Sequence, residues 1–469
     1  MSINGAAATR SNANFVIQEA VNRGASDIHF EPGPEFGRIR FRIDGVMYAY
    51  AADVPAARMD HLINALADLA NVNSYELPHA PCDASIDRRV MVPDGRITKT
   101  TLRFASSPAL YGVDVTIRLN INKFFEFADI GFEEQQLAEI FKALKHKNGI
   151  ILVTGETGSG KSNTLEAIIR KLEVGDGRKV IQVGDPIEFP NAHRTQIPIK
   201  PGCDWDKALK ISLRKDPNIF SPGEFRDEQE ARMVFRAGRT GHLVPTTVHT
   251  NDVATTFDRL TDLGVEPYNQ GPSLRLVISQ QLVRKLCPQC REPDPLAPLI
   301  AQKLMSVLFP DRPELQGINT NQHAHPWLYR AVGCADCFEI GYRGRTVIAE
   351  VMRVTPELAR LISRGIKGDE IVERAVSDHN MITLAEAAAR KLASGVTSFD
   401  EVEHLLSEAA RKRTAPHREE HQPIRNERAR TATTPETRTR AAEPNAEHAD
   451  AIDAEYSDVF TNEDCPLGL

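Results

Sequence analysis

Hydrophobic and polar residues alternate along two segments of the N-terminal part, at 38–43 (RIRFRI) and 115–119. Strict alternation is typical of a strand with one buried face, and the Asp44-Gly45 pair after the first segment predicts a turn. Apolar residues between the two segments recur at helical spacing instead, at Met59, Leu62, Ile63 and Leu66. The pattern therefore predicts an α+β N-terminal domain, which we assign to residues 1–123.

A different pattern follows a looser stretch at 124–130, which we interpret as a linker. Residues 149–154 (GIILVT) form a short apolar run, which is typical of a parallel strand buried on both faces. Residues 180–183 and 243–248 are further strand candidates. Helical spacing flanks the first run, at Leu137, Ile140, Phe141 and Leu144 and at Leu165, Ile168, Ile169 and Leu172. Alternating strands and helices predict an α/β domain with an open parallel sheet over 124–285.

Three compositional changes divide the rest of the chain. Proline is frequent and periodicity is weak over 286–346, so we predict a small separate element there, and helical spacing returns over 347–410. Beyond 410 apolar residues are rare, and an arginine-rich stretch precedes an acidic one. Such a segment cannot bury enough apolar surface to offset its ordering entropy. We predict a disordered charged tail over 411–469 that acts as a solvated linker, with contact to a partner or to anionic lipid as the alternative.

Composition and charge limit the possible function classes. The chain has 469 residues, 41% of them apolar, which is enough for two or three globular domains. Its net charge of -7 argues against a dedicated nucleic-acid binder, which usually carries a basic excess. No apolar run is long enough to span a bilayer, and residues 1–14 lack the apolar core of a secretory signal. We therefore expect a cytoplasmic protein, in which the cysteines do not form a disulfide framework.

Residues 155–162 (GETGSGKS) match the phosphate-binding loop GxxxxGK[ST] at every position. Glycines let backbone N–H groups point at phosphate oxygens, and the N-terminus of the following helix favours anions. Lys161 is expected to reach the β- and γ-phosphates of ATP, and Ser162 to ligate Mg²⁺. A chance glycine turn is the alternative, but the buried strand before the loop and the helix after it favour nucleotide binding. The predicted contacts are Gly155, Glu156, Thr157, Gly158, Ser159, Gly160, Lys161, Ser162 and Asn163.

Further motifs distinguish between families of nucleotide-binding proteins. They stand at 25–32 (ASDIHFEP), 40–45 (RFRIDG), 183–189 (VGDPIEF), 213–218 (LRKDPN), 223–227 (GEFRD), 240–243 (TGHL) and 247–252 (TVHTND). In this order they resemble the N-terminal opening, the Asp box, the Walker B region and the His box of type II/type IV secretion ATPases. These proteins are the motors of secretion, pilus assembly and pilus retraction. The resemblance covers about residues 14–409.

This resemblance implies an α/β architecture with four folded parts. They are a PAS-like α+β N-terminal domain, a RecA-like P-loop ATPase domain, a small zinc-binding element and a helical C-terminal part. It also implies a hexameric ring with ATP between the two larger domains. By matching position, Glu224 is the Walker B glutamate that orients or activates the attacking water. Asp185 and Glu188 match the Asp-box carboxylates near Mg²⁺.

The resemblance assigns further catalytic roles to two histidines and two arginines. His242 and His249 match residues expected to contact or sense the γ-phosphate. Arg103 and Arg118 stand where the family's N-terminal domain supplies arginines to the nucleotide, and a guanidinium there offsets charge on the transferring phosphoryl group. Simpler interpretations stay open, with His242 as an ordinary core histidine and the two arginines as solvated strand residues.

Two positions depart from the family pattern. The family usually has glutamate where this chain has Gly184, which shifts the water-activating role to Glu224. Phe220-Ser221-Pro222 precedes Glu224 where the family has an apolar strand, and proline cannot donate to a central sheet ladder. We expect either that the strand ends early or that turnover differs in this branch of the family.

Two Cys-x-x-Cys pairs, Cys287 with Cys290 and Cys334 with Cys337, predict a tetrahedral zinc site. Four thiolate ligands leave no open coordination position, so the site is expected to be structural. Four reduced, metal-free thiols are the alternative. The secretion and pilus-assembly branch of the family carries a tetracysteine element at this place, and GYRGR at 341–345 also resembles that branch.

The leading hypothesis is a cytoplasmic homohexameric ATPase that drives pilus or pseudopilus assembly, or type II secretion. It would push on an inner-membrane platform protein and associate peripherally with the inner membrane through such partners. A conjugative or type IVB secretion ATPase is the alternative, favoured by the short segment before Ala25. A nucleic-acid translocase fits the acidic balance and the motifs poorly, so we expect no dedicated nucleic-acid partner.

Overall fold

The computed structural model describes residues 6–414, apart from 94, 120–124, 174–176, 186, 295–304 and 311–327. The predicted tail begins inside the last helix, which continues through Thr414, and the rest of that tail, 415–469, lies outside the described residues. Within the described ranges, no helix is both long and apolar enough to cross a bilayer.

The N-terminal domain is built on one antiparallel sheet. Its strands are β1 Ala25–Glu31, β2 Phe36–Ile43, β3 Val46–Pro55, β4 Cys82–Met91, β5 Ile97–Ala109 and β6 Gly112–Arg118. They lie in the order β3-β2-β1-β6-β5-β4, and helices α1 (Ala6–Asn22) and α2 (Ala56–Leu69) pack together and against them. The alternation predicted along β2 and β6 is confirmed, because inward residues such as Phe41 and Ile117 are buried in one apolar core.

The second sheet is mostly parallel. The remaining strands are β7 Gly149–Thr154, β8 Val180–Gly184, β9 Thr195–Pro198, β10 Ile219–Pro222, β11 Leu243–Val248, β12 Leu274–Leu286, β13 Glu292–Pro293, β14 Tyr329–Arg330 and β15 Tyr342–Arg353. Seven of them form the sheet in the order β15-β12-β7-β11-β10-β8-β9, and β13 pairs with β14 separately. Only β15 runs antiparallel to its neighbour β12 in this sheet. The strands predicted at 149–154, 180–183 and 243–248 are confirmed.

Helices cover both faces of this sheet. They are α3 Phe127–Ile130, α4 Glu134–Ala143, α5 Lys161–Glu173, α6 Trp205–Leu213, α7 Glu228–Arg239, α8 Val253–Asp262, α9 Pro267–Ser273, α10 Pro356–Ser363, α11 Gly368–His379, α12 Leu384–Ala393 and α13 Phe399–Thr414. Ile150 and Leu152 of β7 are buried in one apolar core, and Ile151 and Val153 in another. Since successive strand residues point to opposite faces, two covered faces explain why the whole run 149–154 is apolar.

Two of the domain limits predicted from the sequence fall within secondary structure. The looser stretch at 124–130 contains the single turn of α3. The limit between 346 and 347 lies inside β15, and the C-terminal helices begin at Pro356. The segment around the cysteines is therefore continuous with the edge of the second sheet.

Contacts also join the N-terminal sheet to the antiparallel pair β12 and β15. Asp44, in the turn after β2, accepts a hydrogen bond from the Gly344 N–H at 2.8 Å. The Arg284 guanidinium on β12 donates to the Tyr48 hydroxyl at 2.7 Å. Ile340 packs against the apolar core of the N-terminal domain. The turn predicted from Asp44-Gly45 thus also contacts a distant part of the chain.

Candidate functional site

The phosphate-loop candidate, residues 155–162, connects the end of β7 to the start of α5. Its backbone is left-handed at Gly155 and Gly160, with φ of 144° and 85°. A Cβ at Gly155 would lie 2.3 Å from the carbonyl oxygen of Gln280. Both the conformation and the close approach require glycine, and they let the chain curl tightly between strand and helix.

Lys161, the first residue of α5, is buried and turns its ammonium group back onto the loop. Its Nζ donates to the carbonyl oxygens of Gly155 at 2.7 Å and Glu156 at 2.8 Å. Burial lowers the pKa of Lys161, and the nearby carboxylates of Glu224 and Glu188 oppose this effect. A cation held over the loop in this way is suited to binding phosphate oxygens.

The carboxyl ends of four parallel strands lie at the same edge of the sheet as the loop. Val248 at the end of β11 is opposite Thr154 of β7, and Pro222 at the end of β10 is opposite Val183 of β8. Ligands bind beyond the carboxyl ends of strands in open α/β sheets. The residues that follow these four strands are Gly155, His249, Gly223 and Asp185.

Glu224 and His249 extend the site from Lys161. Nδ1 of His249 is 3.4 Å from Nζ of Lys161, and its Nε2 is 3.3 Å from Oε2 of Glu224. The other carboxylate oxygen of Glu224 accepts a hydrogen bond from the Arg226 guanidinium. The structure therefore brings three of the predicted catalytic residues into contact. A carboxylate beside a phosphate-binding lysine can orient a water molecule toward a bound phosphate.

Proline at 222 shortens the strand before Glu224 without moving that residue away from the site. β10 has four residues and ends at Pro222, as the proline predicts. Beyond it, the Thr247 N–H donates to the Gly223 carbonyl at 2.9 Å, and Glu224 forms a bridge with Thr247. The neighbouring strand β11 thus holds the backbone that carries the glutamate.

The Asp-box carboxylates follow β8, which ends at Gly184. Asp185 and Glu188 are exposed, and position 186 between them lies outside the described residues. The charge of Glu188 raises the pKa of Lys161, against the effect of burial. Ser162, next to Lys161, is half-buried at the start of α5. Hydroxyl and carboxylate oxygens are the ligand type that Mg²⁺ prefers.

His242 lies at the opposite edge of the sheet from the loop. It precedes β11 whereas His249 follows it, and six strand residues span about 20 Å. Its Nδ1 is 3.2 Å from the Ala237 carbonyl oxygen, and its own carbonyl accepts from the Gly149 N–H at 3.0 Å. Within the chain, His242 supports the turn between α7 and β11, and the structure does not bring it to the phosphate loop.

Arg103 and Arg118 are opposite each other on β5 and β6 of the N-terminal sheet, and both are exposed. Nε of Arg118 donates to Oδ1 of Asp27 at 2.8 Å, and Asp27 is buried. Asp27 lies in the ASDIHFEP motif, but its place there did not predict this role. The two arginines are thus grouped with each other and with this carboxylate, and their role toward a nucleotide stays a prediction.

Two residues next to the loop and its helix were missed by the sequence analysis. Gln280 on β12 is fully buried, and its Nε2 donates to the Ser159 carbonyl at 2.8 Å. Arg194, after the Asp box, is buried and donates from Nη1 to Glu166 of α5 at 2.8 Å. A polar residue inside an apolar strand is a signal that could have identified Gln280. Arg194 lies in an irregular segment and carries no such signal.

The four cysteines predicted to bind zinc lie together, with their sulfur atoms all within 4.8 Å of one another. The Sγ–Sγ distance is 3.9 Å for Cys287 and Cys334, 3.8 Å for Cys290 and Cys337, and 3.7 Å for Cys334 and Cys337. A tetrahedral zinc ion with Zn–S distances of about 2.3 Å requires about 3.8 Å between sulfurs. The donor set and its spacing therefore fit such an ion.

Backbone N–H groups point at two of these sulfurs. The Gly333 N–H donates to Sγ of Cys290 at 3.4 Å, and the Gly341 N–H donates to Sγ of Cys337 at 3.2 Å. Burial raises the pKa of Cys337, but the N–H donors of Gly341 and Cys334 outweigh it and lower the pKa to about 7. At Cys337 this favours the thiolate, which is the form that binds metal, whereas burial raises the pKa of Cys290 to about 12.

Comparison with known proteins identifies the family. The family described as Type II/IV secretion system protein matches residues 4–404 of the chain. The chain belongs to this family. Its phosphate loop, its Asp, Walker B and His boxes and its four clustered cysteines all lie within the matched residues.

Sequence relatives of this family member include pilus-assembly and type II secretion ATPases. Type IV pilus assembly ATPase PilB of Myxococcus xanthus (strain DK1622) is 35% identical over 395 residues, which cover 83% of this chain and 66% of that protein. Type II secretion system ATPase E of Vibrio cholerae serotype O1 is 34% identical over 405 residues, which cover 84% of this chain and 75% of that protein. The match also covers 42% of the PilB of Thermus thermophilus. The chain thus matches less than two thirds of the length of the PilB proteins of Myxococcus xanthus and Thermus thermophilus.

Solved structures of secretion ATPases share the fold of this family member. The Legionella pneumophila ATPase DotB superposes with a TM-score of 0.62 at 20% identity, over 85% of this chain and 96% of DotB. The pilus retraction motor PilT with bound ADP gives a TM-score of 0.54 at 22% identity, over 84% of this chain and 95% of PilT. At these identities the likeness supports the architecture alone.

Proposed function

We propose that this chain binds Mg·ATP and hydrolyses it as a motor ATPase that drives type IV pilus or pseudopilus assembly, or type II secretion. The observation that carries the proposal is the contact of Lys161, His249 and Glu224 beside the phosphate loop. This edge of the sheet combines a cradle for phosphate with a carboxylate that can orient water. The named pilus-assembly and secretion relatives support the biological process.

In the proposed reaction, the loop N–H groups and Lys161 bind the β- and γ-phosphates. Ser162 would hold Mg²⁺, with Asp185 and Glu188 nearby, and the ion would supply positive charge that offsets the charge of the phosphates. Glu224 orients the attacking water. His249 links this carboxylate to Lys161, so it can respond to a γ-phosphate that displaces the ammonium from the loop carbonyls.

Two further roles belong to the N-terminal domain and the cysteines. Arg103 and Arg118 would supply guanidinium groups to the nucleotide that is bound in the proposed hexameric ring. The PAS-like assignment of this domain is supported by its antiparallel sheet with two packed helices. The four clustered cysteines would hold a structural zinc ion, supported by sulfur spacings near that of a tetrahedral site.

The proposed motor is a homohexameric ring in the cytoplasm. It would associate peripherally with the inner membrane by binding the platform protein of a pilus or secretion machine. The proposal includes no dedicated nucleic-acid partner, and the ATPase activity should not depend on added DNA. Strong stimulation by DNA would favour a translocase instead.

The test compares ATP binding and hydrolysis of purified variants. Lys161→Ala should weaken nucleotide binding and abolish hydrolysis, because the loop loses its cation. Glu224→Gln should keep binding and lower turnover by about 100-fold or more, because the amide cannot act as a base. Glu228→Gln is the matched control, since Glu228 is an exposed carboxylate on α7 paired with Arg232. Normal hydrolysis by Glu224→Gln would show that the assignment of Glu224 is wrong.

A further inference from the structure

We infer that Gln280 is a positioning residue that fixes the orientation of a phosphate-binding N–H group in the loop. The inference rests on the proposed function, because it concerns nucleotide binding at residues 155–162. It assigns to the buried strand β12 a direct part in forming that site.

Gln280 stands where β7 ends and the loop begins. The parallel pairing of β12 with β7 ends at Ser279, opposite Thr154, so the next residue of β12 lies beside the loop. The side chain of Gln280 is 0% exposed. A Cβ at Gly155 would lie 2.3 Å from its carbonyl oxygen, and one at Gly160 would lie 3.3 Å from its Nε2. The loop therefore curls directly over this one residue, and two of the motif glycines permit that contact.

The hydrogen bond from Gln280 determines which way one loop peptide faces. Nε2 of Gln280 donates to the Ser159 carbonyl at 2.8 Å. The Ser159 carbonyl and the Gly160 N–H belong to the same planar trans peptide, so they point in opposite directions. With the carbonyl held toward β12, the Gly160 N–H points away from that strand, and on the proposed function it donates to a phosphate oxygen. The side-chain amide of Gln280 thus fixes the orientation of the Gly160 N–H before any ligand binds.

The position requires a side chain that donates a hydrogen bond. An ionised glutamate has no donor and would repel the Ser159 carbonyl, and a leucine would leave that carbonyl without its partner. Among the described contacts, the second polar atom of Gln280, Oε1, is buried with no hydrogen-bond partner. A buried acceptor without a partner is destabilising, so fold stability alone does not account for an amide here.

The test is a titration of the purified full chain and its variants with Mg·ADP, inorganic pyrophosphate and adenosine. Gln280→Leu should weaken binding of Mg·ADP and of pyrophosphate by about tenfold, because one phosphate donor is no longer oriented. Adenosine, which carries no phosphate, should bind all variants equally, whereas a general loss of structure would weaken all three ligands. Gln281→Leu is the control, because Gln281 is half-buried and points to the other face of β12.

The outcomes separate this inference from the function on which it rests. If Gln280→Leu binds Mg·ADP as tightly as the unchanged chain, or weakens adenosine equally, the positioning role is wrong and nucleotide binding stands. If the unchanged chain binds neither Mg·ADP nor pyrophosphate, the proposed function fails and this inference fails with it. Should Gln280→Leu not fold, Gln280→Met, with a flexible side chain of similar length, replaces it with the same expected loss.

Discussion

Substitution of Arg194 by leucine should lower the free energy of unfolding by about 3 kcal/mol, since it removes the cation from a buried ion pair. The Arg194 side chain is 0% exposed, and that of Glu166 on α5 is 3% exposed. Nη1 and Nη2 of the guanidinium each donate to one oxygen of Glu166 at 2.8 Å, and Nη2 also donates to Glu173 at 2.9 Å. These bonds attach the segment after the Asp box to the helix that begins at Lys161.

The magnitude follows from the partners that remain. Removing one member of a buried ion pair costs about 3–5 kcal/mol, because the other charge stays buried without compensation. Glu166 keeps a second cation, Arg170, at 2.8 Å, which puts the expected loss at the lower end of that range. Folded proteins are stable by about 5–15 kcal/mol, so the loss is a large fraction of the total.

Urea unfolding of the full chain, followed by circular dichroism, measures this loss. The control is Arg232→Leu, because Arg232 and Glu228 pair on the surface of α7 with side chains 67% and 57% exposed. That change should alter the free energy of unfolding by no more than about 1 kcal/mol. Replacing Arg194 and Glu166 together with leucine should recover part of the stability, since the most deeply buried carboxylate of the cluster, Glu166, no longer stays behind without its cation. A loss below about 1 kcal/mol for Arg194→Leu alone would refute the reasoning.

Two further predictions concern the cysteines and a buried carboxylate. Metal analysis should find about one zinc ion per unchanged chain and none in Cys287→Ser. Cys82→Ser is the control and should keep the full amount of zinc, because Cys82 lies outside the cluster. An unchanged chain without metal would exclude the site. Burial raises the pKa of Glu350, which accepts N–H bonds from Val253 and Leu384, above its ordinary value of 4.5. The folded chain then binds that proton more tightly than the unfolded chain, so the stability that Glu350 contributes is present below pH 4.5 and is lost as pH rises through the raised pKa. The difference in unfolding free energy between the unchanged chain and Glu350→Gln should therefore fall across this pH range, and a constant difference would contradict the reasoning.

Local signals in the sequence were sufficient to predict three of the seven strands of the second sheet and the loop that follows β7. The uniform apolar run at 149–154 identified β7 because both of its faces are covered, and the glycine pattern after it identified the phosphate loop. Glu224 and His249 were predicted by their place in motifs. Their contact could be expected because both follow parallel strands, and such strands end at one edge.

Residues whose role depends on distant partners could not be predicted in this way. Motif spacing did not reveal that His242 and His249 stand at opposite ends of β11. The partner of Arg194 is 28 positions away in the sequence, and that of Gln280 is 121 positions away. Such pairs form only when the sheet assembles. The hydrophobic periodicity of either segment therefore does not predict them.

The contact between Asp44 and Gly344 attaches the N-terminal sheet to the segment that follows the second cysteine pair. Phe338 and Ile340 stand between Cys337 and Gly344; the ring of Phe338 lies 4.9 Å from the Arg23 guanidinium, and Ile340 packs on the N-terminal core. The residues that attach the N-terminal domain thus belong to the same short segment that carries Cys334 and Cys337. The position of Cys337 and the attachment of the N-terminal sheet therefore depend on the conformation of one short segment, residues 337–344.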